Sequence, residues 1–100
     1  MTLELCYTVE AGEDLIRIWS HVAADSPRAA GRLLDTIETR CESLRDFPLM
    51  GPSRDDLRPG FRMLGVGEYI IVYRAMQGRV EIVRVLHGRR DLDDVFTVTE

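Results

Sequence analysis

Three short runs rich in β-branched and aromatic residues, separated by glycines, occupy Phe61 to Leu86. Phe61 to Val66 is one run, Tyr69 to Ala75 a second and Val80 to Leu86 a third, with turns at Gly65-Val66-Gly67 and Met76-Gln77-Gly78. Runs this short, joined by turns this tight, predict consecutive antiparallel strands. Period-two alternation puts Tyr69, Ile71 and Tyr73 on one face and Ile70, Val72 and Arg74 on the other. The third run divides into Val80, Ile82, Arg84, Leu86 and Glu81, Val83, Val85. Both faces are apolar, so both need cover.

The first half supplies a helical hairpin. Leu3, Leu5 and Tyr7 alternate with Glu4 and Cys6, which predicts a first strand whose partner the pattern does not name. Thr8 is placed to cap a helix over about Val9 to Ala24. Ala11, Leu15, Ile18, Trp19 and Val22 recur there at helical spacing, and Glu10, Glu13 and Asp14 suit its positive end. Ser26 then caps a second helix with Pro27 in its first turn. Its stripe is Ala30, Leu33, Leu34, Ile37, Cys41 and Leu44, running to about Asp46 before Pro48 forbids continuation. Pro48 to Gly60 reads as loop, and Asp91 to Phe96 as a last helical turn. The order β-α-α-β-β-β predicts an α+β fold over residues 1–100, one domain, with the hairpin on one face of a small, mainly antiparallel sheet. The other face is then expected to meet a partner, the alternative being a loop or the C-terminal tail as its cover.

Charge and composition exclude several classes. A net charge of -4 argues against direct nucleic-acid binding by bulk electrostatics. No window approaches the ~20 apolar residues of a membrane span. The N-terminus has neither a basic region nor a long apolar run, so a cytoplasmic location is expected. Cys6 and Cys41 lack zinc-site spacing and read as reduced, buried thiols; no metal or cofactor is expected. All 13 basic residues are arginine, so lysine is excluded as general acid or base.

The residues that could carry chemistry crowd the sheet and its exit: Arg58, Arg62, Arg74, Arg84, His87, Arg89 and Arg90. Such a set could grip phosphates, with His87 as general acid. For any single arginine, a salt bridge to Asp55, Asp56, Glu68, Glu81, Asp91, Asp93 or Asp94 is the simpler reading. His21 reads as a surface or packing residue, Trp19 and Met50 as packing residues. No phosphate loop, dinucleotide fingerprint or Ser/His/Asp set is present, and no small-molecule substrate is expected.

Three segments together resemble the RelE/ParE superfamily of type II toxin–antitoxin toxins. They are Asp14 to Trp19; Phe47 to Gly51 with Arg54 and Leu57 to Arg62; and Tyr69 to Arg74 followed by Arg84 to Asp91. The resemblance is greatest to the ParE branch. RelE-like members are ribosome-dependent mRNA endonucleases, commonly with arginine after the tyrosine that opens the central strand. They often place a catalytic tyrosine just after the histidine-equivalent position or in the tail. Here those positions are Ile70, Gly88 and Phe96, and phenylalanine has no hydroxyl to move a proton. Arg62, Arg84 and His87 are what remains for a nuclease.

The ParE resemblance implies a toxin that poisons DNA gyrase by binding, without catalytic residues of its own. It implies a ParD-like antitoxin that lies along the helices and sheet and supplies contact with operator DNA. Trp19, Ile70, Val72 and Arg74 are expected to meet the antitoxin, and Arg84, His87, Arg89 and Arg90 the target. The alternatives are a RelE-like mRNA endonuclease and a non-toxic interaction protein, surviving as an antitoxin decoy or plasmid-stabilisation remnant.

Overall fold

The computed structural model describes residues 2–96, apart from the side chain of Arg90. Its elements are β1 (Glu4–Tyr7), α1 (Val9–Ala23), α2 (Pro27–Ser43), β2 (Phe61–Val66), β3 (Tyr69–Met76), β4 (Arg79–His87) and α3 (Gly88–Phe96). The sheet order is β1-β4-β3-β2, with both β2–β3 and β3–β4 antiparallel. β1 lies parallel to β4, beginning with Glu4 opposite Arg79. The expected α+β arrangement, a helical hairpin on a mainly antiparallel sheet, is the observed one.

Local chemistry explains the helix starts. Thr8 accepts the Ala11 N–H at 3.0 Å, and Ser26 accepts the Ala29 N–H at 3.1 Å. α1 and α2 bury Ala11, Ile18, Ile37 and Cys41, with Leu44 at the end of α2, against Leu64, Tyr69, Ile71, Tyr73, Val80 and Ile82. Each large aliphatic side chain so buried contributes about 1.5–3 kcal/mol. Burial raises the Cys41 thiol to about 11, with Glu38 and Glu42 adding to the shift against a hydrogen bond from Tyr7. Cys41 is thus a neutral core thiol.

The second face is covered from within the chain. Phe61, Val72, Leu86, Leu92 and Phe96 form a separate buried cluster, with Ile70, Val83 and Val95 packed on it. Leu92 and Phe96 come from α3, which begins three residues before the expected turn. Gly88, at φ 72°, lets the chain leave β4 sharply enough for α3 to fold back. This corrects the expected exposure of Val72, which is fully buried, while Ile70 is only partly accessible. The covering tail, not an open face, is what the structure contains.

β4 also departs from simple alternation. Tyr73 pairs with Ile82 and Val72 with Arg84, so Val83 is an extra residue. A bulge of this kind reverses the faces beyond it. Val85 therefore joins Val80 and Ile82 in the hairpin-side core, and Leu86 lies on the α3 side.

Candidate functional surface

Where β1 stops, α1 completes the edge of β4. The Thr8 N–H donates to Ile82 O at 3.0 Å and the Thr8 hydroxyl to Val83 O at 2.7 Å. Asp14 then accepts the Val85 N–H at 3.0 Å, taking the place of a strand neighbour. The same carboxylate accepts from Arg84 Nε at 2.7 Å and Arg84 Nη2 at 2.9 Å, and from Arg17 at 3.0 Å. Asp14 is fully buried. Its burial alone would raise the carboxyl pKa. The hydrogen bonds from Arg84, Val85 and Arg17 outweigh this and hold it below its ordinary value.

Asp14 is the residue that sequence reasoning misses, because near a helix N-terminus it reads only as a favourable charge. Its signal is its position: three residues after Ala11 and four before Ile18, it falls on the buried stripe of α1. An acid on such a stripe needs a buried cation or several donors.

The basic residues expected to act together have separate engagements. Arg84 forks onto Asp14, and its side chain is only 22% exposed. Arg62 donates to Gly51 O at 2.8 Å. His87 Nε2 lies 3.0 Å from Glu68 Oε1, and its ring packs edge-on against Tyr69. His87 is three residues beyond Arg84, or about 10 Å along β4. Arg74 donates to Glu81 at 2.8 Å. Arg89 is exposed on α3, whereas the side chain of Arg90 lies outside the described residues. Phe96 is buried, edge-on to Phe61 and beneath the Arg58 guanidinium.

Gly51 anchors the loop that carries Arg62's acceptor. Its N–H donates to the Tyr73 hydroxyl at 2.9 Å, and that hydroxyl donates to Pro48 O at 2.9 Å. A Cβ at Gly51 would lie 2.3 Å from Met63 O, so only glycine permits this approach. The loop is thus a fixed part of the surface.

The chain and its fold agree with one family. Residues 5–92 match the family model described as the ParE toxin of type II toxin–antitoxin system, parDE. The chain belongs to the ParE toxin family. Toxin ParE3 of Caulobacter vibrioides is 36% identical over 80 residues, 79% of this chain and 80% of that one. A chain of the chromosomal ParDE TA system from P. aeruginosa shares the fold, at a TM-score of 0.76 and 23% identity, over 88% of this chain and 98% of that one. A chain of the toxin–antitoxin complex RelBE2 from Mycobacterium tuberculosis gives a TM-score of 0.62 at 26% identity, over 87% of this chain and 99% of that one.

On this ParE-family chain the large exposed apolar side chains, Tyr7 of β1 apart, form two patches. Val9, Ile16 and Trp19 are 74%, 68% and 46% exposed and lie along the outer side of α1. Phe47, Leu49 and Met50 form the second patch, just beyond α2. Trp19 and Met50 are therefore surface residues, not the packing residues the sequence suggests. The α1 stripe is legible as a heptad step followed by one of three. A cavity of about 250 Å³ separates α1 from the sheet exit, lined in part by Arg17, His21, Tyr69, His87 and Asp91. Among the described residues, no group of three or more His, Cys, Asp or Glu is placed to hold a metal ion. No helix among them is long and apolar enough to cross a membrane.

Proposed function

We propose that this ParE-family toxin acts by binding DNA gyrase, without cutting RNA, and is neutralised by a ParD-like antitoxin. The observation that carries this reading is the engagement of Arg84. Two of its N–H donors, on Nε and Nη2, fork onto buried Asp14, so the cation a nuclease would need at the centre of the sheet is committed to a structural tie. Gly88 offers no side chain, and Phe96 is packed in the second core. Arg62 donates to Gly51 O, and His87, paired with Glu68 but exposed, lies too far along β4 to act with Arg84 on one atom. Target contact then falls to exposed His87 and Arg89 and to Arg90, the two arginines as charge and hydrogen-bond donors.

The α1 stripe supports the antitoxin reading. Val9, Ile16 and Trp19 present an apolar strip suited to an amphipathic helix. Arg74 is on β3 and paired with Glu81, and Val72 is withdrawn beneath α3. Operator contact is assigned to the antitoxin, because the toxin's charge of -4 disfavours DNA. Likeness to the RelBE2 chain keeps an mRNA endonuclease as the second reading.

Controlled expression without the antitoxin separates these readings. A gyrase poison induces the DNA-damage response and leaves mRNA intact. Ribosome-dependent mRNA cuts that vanish in His87→Ala would establish the nuclease instead. Normal growth would identify a decoy.

A further inference from the structure

The two edges of the sheet are finished differently. The outer edge of β2 is paired by the chain itself: Arg54 N–H donates to Phe61 O at 2.7 Å, Met63 N–H to Pro52 O at 3.2 Å, and Ser53 bridges Arg62. β1 is the opposite edge. Glu4 and Thr8 N–H groups point to β4, so the alternating Leu5 and Tyr7 backbone groups point outward. Among the described residues none hydrogen-bonds to those outward groups. β1 has no proline, bulge or lysine to block pairing; its protection is its length of 4 residues and the charge of Glu4, which repels an acidic strand but not a basic one.

A groove runs along this edge. It is bounded by Glu4, Leu5, Tyr7, Glu38, Glu42 and Arg45. Arg45 is the sole cation of that lining and is already engaged, donating to Glu42 at 3.0 Å and to Leu3 O at 2.8 Å. Its backbone O also accepts the Leu3 N–H at 3.0 Å. Arg45 thus satisfies both outward groups of Leu3, as the first residue of an added strand would. Glu42 shares that cation, and Glu4 and Glu38 are the two further carboxylates of the lining, which leaves the groove net acidic. Burial first, then Cys41, Glu38 and Glu42 hold the Tyr7 hydroxyl pKa well above its ordinary value, so the carboxylates act on the groove's aromatic wall.

We infer that the open edge of β1 and its acidic groove take an extended, basic segment of a partner protein by strand addition. The added strand pairs with the outward groups of Leu5 and Tyr7, and its arginines or lysines meet Glu4, Glu38 and Glu42. An acidic or neutral strand has the same backbone but lacks that charge match. The inference does not depend on gyrase or on the α1 stripe.

Amide hydrogen exchange on the full isotope-labelled chain tests this with a short synthetic peptide alternating arginine with valine. The peptide slows exchange at Leu5 and Tyr7 by about tenfold or more and leaves Cys6, already in the β4 ladder, unchanged. A glutamate–valine peptide gives no slowing. Glu38→Gln with Glu42→Gln, at exposed positions, weakens the arginine peptide about tenfold. Tyr7→Pro removes one outward donor while sparing the ladder, and abolishes the effect. No slowing, or equal slowing by the acidic peptide, overturns the inference. Slowing that needs only more of the protein itself also overturns it, by making a second copy the occupant.

Discussion

The two faces of the sheet carry similar side chains but are held differently. One packs under α1 and α2, which are 15 and 17 residues long and bring Ile37, Cys41 and Leu44 onto Ile71 and Ile82. The other is closed by α3, a helix of 9 residues that brings Leu92 and Phe96 onto Val72 and Leu86. On the hairpin side a buried ion pair also ties helix to strand, through Asp14, Arg84 and Val85. The difference teaches that two apolar faces do not imply an open one. A short, polar-looking tail with two well-spaced apolar residues is enough to cover a narrow sheet.

Removing Asp14 tests the hairpin side most severely. Asp14→Ala leaves Arg84 and the Val85 N–H without their acceptor and costs about 3–5 kcal/mol, read from urea unfolding. The pH dependence has a defined sign. The folded pKa of Asp14 lies below its unfolded value, so the stability it adds is present above about pH 4. It is lost as pH falls through the folded pKa. Asp14→Asn therefore shows a shallower acid slope than the parent chain, the slope from Asp56 remaining. An unchanged slope would mean that the carboxylate is not the tie.

Ile37→Ala empties a fully buried site between α2 and the sheet and lowers stability by about 3 kcal/mol. Leu92→Ala costs less, about 2 kcal/mol, because α3 is short and ends near solvent. Exchange under native conditions sharpens this contrast. Leu92→Ala speeds amides of Asp91 to Phe96 while the Ile71 amide stays protected, whereas Ile37→Ala speeds both. If Leu92→Ala released the whole sheet, the faces would form one unit. Ile16→Ala, on the exposed strip of α1, changes stability by less than about 0.5 kcal/mol. A larger loss would show that the strip holds the fold.

Much of the fold is legible because it rests on local chemistry. Thr8 and Ser26 mark helix starts, and the glycine turns define strands that the structure reproduces over Phe61–Val66 and Tyr69–Met76. The parallel pairing of β1 is not legible, since alternation gives a face but no neighbour. The bulge at Val83 is hidden because Ile82 and Val83 are adjacent and equally apolar. Only their partners in β3 reveal the shift. α3 is underestimated because Gly88, Arg89 and Arg90 read as a polar exit. The candidate site is legible as a cluster of residue types, yet their acceptors are not. Arg84 finds Asp14 across 70 positions of chain, a pairing that depends on how α1 crosses β4.

Gyrase binding without RNA cleavage is tested most directly with the purified chain in two parallel assays. One measures supercoiling and DNA cleavage by gyrase; the other measures mRNA cleavage on translating ribosomes. The expected result is inhibited supercoiling and accumulated cleaved DNA, with intact mRNA. Intact gyrase activity together with ribosome-dependent mRNA cuts that are lost in His87→Ala would contradict it.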